Sequence, residues 1–267
     1  LADLVRALDG VDAALWIRLL YLYPSAVTAD LIDAIAGAKR VLPYVDVPLQ
    51  HASTRVLSAM KRGTTGDRQR KLVERLRAGI PGLTLRTTFI VGFPGETDAD
   101  FAELLEFVRW ARFDRVGVFR YSDEEGTAGC ALAGKVPRKL ARERYRALTK
   151  LQASILAEKL AARVGEEDVA LVDAPIGRDK AQARLASQAP EIDGVTFVRG
   201  KNLRARSICH TAAHCRSSLC AAQTAKKSAA RSRQHQQRRQ PASRTLAYVT
   251  RSLCHSERSE ESPRPHR

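Results

Sequence analysis

The stretch Thr87-Thr88-Phe89-Ile90-Val91-Gly92-Phe93-Pro94-Gly95-Glu96-Thr97 constrains the fold more than any other part of the chain. Phe89, Ile90 and Val91 are consecutive and apolar, as in a strand covered on both faces, the habit of parallel sheets flanked by helices. Gly92 and Gly95 allow a sharp turn and a close approach of the backbone to a ligand. Thr97 is suited to cap the helix that follows, with Asp98 and Asp100 in its first turn. The turn therefore lies at the carboxyl end of a strand, where α/β proteins and barrels build their sites. An ordinary tight strand-to-helix turn has the same composition.

The same alternation extends on both sides. Leu1, Leu4, Val5 and Leu8 have helical spacing, and Gly10 stops it. Strands are expected over Ala14 to Leu20, Val41 to Val47, Thr84 to Val91 and Val116 to Phe119. Helices are expected from Thr28, from Ser53, over Asp67 to Ile80, over Asp98 to Ala111 and from Pro137 to about Val164. This order predicts a parallel sheet with right-handed crossovers, a barrel without its first strands. From Val169 the pattern changes to short strands, Val169 to Val172, Ala183 to Leu185 and Thr196 to Val198, too few to close a small β module. The expected boundaries are 1–164 for the partial barrel, 165–200 for the β module and 201–267 for a disordered tail whose few apolar residues do not offset the entropy of folding.

Charge follows that division. Of the net +16, residues 201–267 carry +12 and residues 1–200 only +4. The tail is thus the segment fitted for non-specific RNA contacts through phosphate. Its near-absence of acidic residues, and the string Cys254-His255-Ser256-Glu257-Arg258-Ser259-Glu260-Glu261, are equally those of a translated repeat read out of frame. No apolar run approaches the roughly 18 residues of a membrane span. Five cysteines do not suggest a disulfide scaffold, and the expectation is a cytoplasmic protein.

Five stretches carry a family resemblance: Trp16 to Pro24; Asp46-Val47-Pro48-Leu49-Gln50-His51-Ala52-Ser53, leading to Met60-Lys61-Arg62; Thr88 to Thr97; Tyr121-Ser122-Asp123-Glu124-Glu125-Gly126-Thr127; and Ala189-Pro190-Glu191-Ile192-Asp193-Gly194. Together, and in this order, they resemble the RimO-type methylthiotransferases, which are radical S-adenosylmethionine enzymes. The tRNA-modifying MiaB type shares the Gly-Phe-Pro-Gly-Glu turn and is the alternative within the class. A non-catalytic basic RNA- or ribosome-associated protein is the alternative outside it. The resemblance implies a partial radical-SAM (β/α) barrel followed by an incomplete TRAM-like β module. It implies S-adenosylmethionine and two 4Fe-4S clusters in the intact enzyme. The implied substrate is an aspartate of small-subunit ribosomal protein S-twelve, methylthiolated at its β-carbon.

By the same resemblance, Gln50, Ile90, Gly92 and Glu96 are candidate cofactor contacts, with Ile90 near adenine. Gly95 stands where the usual G-x-I-x-G-x-x-E pattern has its glutamate, and Glu96 comes one residue later. Arg18, the one charge in an apolar strand, His51, Tyr121 and Ser122 are candidates for the substrate pocket. The chain departs from the family in one decisive respect: it contains no Cys-x-x-x-Cys-x-x-Cys. Cys130, Cys209, Cys215, Cys220 and Cys254 have the wrong spacing for a cluster loop, so no cluster is expected on this chain and it is expected to be inactive alone. The Cys209-His210-Thr211-Ala212-Ala213-His214-Cys215 string has zinc-type ligands without a hydrophobic framework, and no metal site is expected there.

Overall fold

The computed structural model describes residues 1–12 and 14–212. They form two compact units, one of Leu1–Arg163 and one beginning at Val164. The first unit runs α1 (Ala2–Asp9), β1 (Ile17–Leu19), α2 (Ala29–Ala36), β2 (Val41–Asp46), α3 (Thr54–Ala59), α4 (Gly66–Gly79), β3 (Thr84–Val91), α5 (Asp98–Ala111), β4 (Arg115–Arg120) and α6 (Arg138–Ala162). Its four strands are parallel, in the order β1-β2-β3-β4.

Strand alternation sends one set of side chains to the helices and the other to the opposite face. Ile17, Leu19, Val41, Val45, Leu85, Phe89, Val91, Val116 and Val118 join the hydrophobic core with residues of the helices. Phe89 is its centre, edge-on to Phe107 at 6.2 Å and to Phe113 at 5.8 Å. Arg18, Tyr44, Asp46, Arg86, Thr88, Ile90, Arg115 and Phe119 occupy the alternate positions, the inner face of the sheet.

Local chemistry sets the helix starts. Thr28, Ser53, Thr65 and Thr97 each cap a helix by accepting a backbone N–H with the side-chain oxygen. At α5 the cap is reciprocal, because Asp100 accepts from the Thr97 amide at 2.8 Å while the Asp100 amide donates to Thr97 Oγ1. The first strand is shorter than the Ala14 to Leu20 expected. The Val11 and Ala14 amides are used in turns, pairing begins where the Ile17 amide reaches Arg40 O at 2.8 Å, and Tyr21 leaves the strand at φ 58°.

The second unit holds β5 (Glu167–Pro175), β6 (Lys180–Leu185), β7 (Thr196–Arg199) and β8 (Ile208–Ala212), an antiparallel sheet in the order β7-β6-β5-β8. Ala170, Val172, Ala181, Ala183 and Val198 form its small core, with Leu185, Leu203 and Cys209 packed against it. The expectation that order ends at Gly200 is corrected by β8. Without it β5 would present an unpaired row of amides and carbonyls. Ile208 and Cys209 pair with Leu171 and Ala170, and the Val172 amide donates to Ser207 O at 2.9 Å. The remainder of the tail, with His214 and Cys215 of the zinc-like string, lies outside the described residues. Among the described residues no three metal-ligating side chains come together, and no helix is long and apolar enough to cross a membrane.

Candidate functional site

The carboxyl ends of β2 and β3 are joined beyond the regular strands. The Gln50 amide donates to Thr88 O at 2.8 Å and the Ile90 amide to Gln50 O at 2.8 Å, with Gln50 in a left-handed conformation at φ 71°. Gln50 and Ile90, two of the candidate cofactor contacts, are therefore backbone neighbours, and both are half-buried. Gly92 begins the turn at φ 77°, a conformation that favours glycine, and a Cβ there would stand 2.6 Å from the Ala141 Cβ of α6. The close approach that Gly92 permits is thus made by a helix of the same chain.

Glu96 closes the turn on itself. Its Oε2 accepts from the amides of Gly92 and Phe93, the latter at 3.1 Å, and its Oε1 lies 3.1 Å from Arg144 Nη1. Arg144, 3% exposed, also donates to Glu96 O at 3.1 Å and to Asp98 Oδ1 at 2.7 Å. Burial raises the Glu96 carboxyl, and Arg144 and the two amides oppose that shift. Glu96 thereby ties the turn to itself and to α6.

A second buried set lies between the β2 and β3 loops. His51 is fully buried, and its Nδ1 accepts from the Ser53 amide at 3.0 Å. Burial lowers its pKa to about 4, with Asp100 opposing and Arg144 and Arg55 reinforcing the shift. Ser53 Oγ donates to Asp100 Oδ1 at 2.6 Å, and Arg55 pairs with Asp100 and donates to Gly95 O at 2.7 Å. Burial works against the Asp100 charge, but Arg55, Ser53 and Thr97 outweigh it and hold the carboxyl well below the usual range. His51 is thus a neutral member of a loop-joining network. Tyr121 packs edge-on to Phe93 of the turn at 5.1 Å, while Ser122 is exposed. Arg18 lies on the inner face, its guanidinium 5.5 Å from the Trp16 ring centre and 5.7 Å from that of Tyr44.

Sequence reading did not find Arg144, Asp100 in its network role, or the inner-face residues Asp46, Arg86 and Arg115. Arg86 Nη1 is 3.0 Å from Asp46 Oδ2, and both side chains are buried. The available signal was a single arginine inside Thr84-Leu85-Arg86-Thr87, of the same kind that singled out Arg18.

Residues 2–108 match the model of the Radical SAM superfamily. The chain is 50% identical over 211 residues to the ribosomal protein uS12 methylthiotransferase RimO of Sorangium cellulosum, covering 78% of this chain and 43% of that protein. The chain carries a Radical SAM domain over residues 2–108 and is similar to RimO over 78% of its length. The RimO of Solibacter usitatus is 48% identical over 202 residues, covering 74% of this chain and 43% of that protein. The chain thus spans less than half the length of these RimO relatives. Among solved structures, coproporphyrinogen III oxidase from Escherichia coli, described as a radical SAM enzyme, has a TM-score of 0.44 and 14% identity, covering 67% of this chain and 45% of that one.

The residues of this chain fit the cofactors of the Radical SAM superfamily unequally. A 4Fe-4S cluster is held by cysteine thiolates. The first unit contains only Cys130, which is exposed, so these residues do not fit a cluster. For S-adenosylmethionine the fit is partial. Gln50 and Ile90 stand together at adjacent strand ends, whereas Gly92 is packed on Ala141 and Glu96 is used by the turn.

Proposed function

We propose that these 267 residues carry the carboxyl-terminal part of the barrel of a RimO-type methylthiotransferase, with a TRAM-like module following it. The enzyme of which this is part transfers a methylthio group to the β-carbon of an aspartate of ribosomal protein uS12, in the cytoplasm. S-adenosylmethionine supplies the radical chemistry when bound with the clusters, whose thiolate ligands come from outside this stretch. Within it, Gln50 and Ile90 border the adenosine. Glu96 and Arg144 set the turn beside them, and the His51, Ser53, Asp100 and Arg55 network fixes the β2 loop against that turn. Alone, the chain assembles no barrel cluster and is inactive.

The observation that carries this reading is the 50% identity over 211 residues to a protein named for uS12 methylthiolation. The test joins the amino-terminal region of the Sorangium cellulosum relative in frame ahead of residue 1, expresses the product in cells lacking their own enzyme, and weighs uS12 and tRNA nucleosides by mass spectrometry. A methylthio increment on a uS12 aspartate is expected. An increment on tRNA adenosine alone would transfer the chain to the MiaB type. Modification of neither, from a folded product with its clusters, would overturn the assignment.

A further inference from the structure

Helix α6 turns one side to the core and the other to solvent. Ala141, Arg144, Leu148, Gln152 and Ile155 are its buried residues, spaced three and four apart. At about 100° per residue, Lys139, Arg142, Arg146 and Lys150 fall on the opposite side and Arg138 at its edge. All five are exposed. Among the described residues none of the five enters an ion pair or a side-chain hydrogen bond, and neither does Glu143, the one acid exposed beside them. By contrast, Arg40, Arg55, Arg109 and Arg112 of the same unit each meet a carboxylate.

This face holds the whole charge excess of residues 1–200. They contain 30 Lys and Arg against 26 Asp and Glu; without the five bases and Glu143, 25 of each remain. The excess is therefore gathered on one helix instead of being spread over the surface. Lys139 to Lys150 spans about three turns, or ~16 Å of axis, and Arg142, Arg146 and Lys150 follow one another at steps of about 6 Å. That step is comparable with the separation of neighbouring phosphates along one nucleic-acid strand, and guanidinium forks engage phosphate oxygens in pairs. The exposed residues from Arg138 to Ala157 include no large apolar side chain. A bilayer surface holds a helix through such side chains, and a protein partner is held mainly by aromatic and other large anchors. A phosphodiester chain requires only the charges.

We propose that the solvent face of α6, from Arg138 to Lys150, docks on the sugar–phosphate backbone of an RNA stem. Arg138, Arg142 and Arg146 take phosphates through their planar forks, and Lys139 and Lys150 act as point charges. The surface reads no sequence, because phosphate contacts position a protein without specifying bases. It is separate from the basic tail, and it is rigid, since Leu148 and Ile155 of the same helix are seated in the core of the first unit. The choice of RNA over DNA rests on the functional reading above, in which the target is a ribosomal protein; the docking surface itself does not.

The test is lysine acetylation of the 267-residue chain, read by mass spectrometry with and without an RNA hairpin, together with the salt dependence of binding. Protection of Lys139 and Lys150 is expected, while Lys39 and Lys71, exposed elsewhere on the unit, stay reactive. Changing Arg142, Arg146 and Lys150 together to Gln should weaken binding about tenfold or more and lower the slope of log affinity against log salt by about 2–3. Changing Lys61, Arg68 and Lys71 to Gln removes the same charge and should do neither. Thermal melts establish that both variants are folded, and the protection pattern of the unaltered chain provides a reading that needs no variant. Equal losses in the two variants, or protection confined to Lys201, Lys226 and Lys227, would overturn the proposal. So would protection by a DNA stem, by phosphatidylserine vesicles or by polyglutamate where the RNA hairpin gives none. None of these outcomes depends on methylthiotransferase activity. The functional reading stands if uS12 is modified while Lys139 and Lys150 remain reactive, and falls on its own if neither uS12 nor tRNA is modified.

Discussion

Replacing Arg144 by methionine removes the only cation within salt-bridge distance of Glu96 among the described residues and leaves the glutamate's two amide donors in place. Both side chains of the pair are at most 4% exposed, so water does not replace the lost partner. Removing one member of a buried pair costs about 3–5 kcal/mol. The contact to Asp98 adds little, since the Asp98 side chain is 91% exposed. A loss of about 3 kcal/mol corresponds to a fall in Tm of about 6–12 °C for a unit of this size. The loss should also depend on pH. Burial already raises the Glu96 carboxyl, and without Arg144 it rises further. The folded variant then holds a proton that the unfolded chain releases, so its stability falls as pH rises from the ordinary glutamate range through the raised folded value. Urea denaturation of Arg144→Met across that range measures both effects. Adding Glu96→Gln should recover part of the loss, with a coupling of at least about 1 kcal/mol. A single variant within about 0.5 kcal/mol of the parent at every pH, or strictly additive changes, would refute the network reading.

Gly92→Ala combines a left-handed backbone with a 2.6 Å contact to Ala141 and should cost about 2–4 kcal/mol; Ala141→Gly should relieve the contact and leave the backbone strain. His51 is held neutral to about pH 4. Its depressed folded pKa means that stability is lost as pH falls from about 6.5 through about 4, by about 3 kcal/mol in total, and His51→Gln should remove that slope in a pH series of urea melts. Asp100→Asn should cost about 2–3 kcal/mol by weakening its bonds to Arg55, Ser53 and Thr97, and hydrogen exchange should show faster opening at the amino end of α5.

Much of the fold was legible because its signals are local. Thr84 to Val91 and Asp98 to Ala111 were readable from an apolar run, two glycines and a capping threonine, and the structure gives both with those ends. Strand β8 was not legible, since Ile208 to Ala212 looks like the polar chain that follows it and becomes a strand only by filling the open edge of β5. The site residues divide on the same principle. Gln50 and Ile90 could be placed at strand ends from sequence. The inward fold of the Glu96 carboxylate could not, because its decisive partner, Arg144, is 48 residues away on a helix with charges on several faces. The charged row on the inner face depends on register between strands, which no single segment contains.

The central claim is that this stretch is a RimO-type barrel portion whose cluster ligands lie outside it. Anaerobic reconstitution of the 267-residue chain with iron and sulfide, followed by dithionite and S-adenosylmethionine, tests it most directly, with 5′-deoxyadenosine as the product measured. The account predicts no 5′-deoxyadenosine from this chain, and its appearance once the amino-terminal region of a RimO relative is joined in frame. Stoichiometric cluster absorbance that survives Cys→Ala changes at positions 209, 215, 220 and 254, together with 5′-deoxyadenosine from the chain alone, would contradict it.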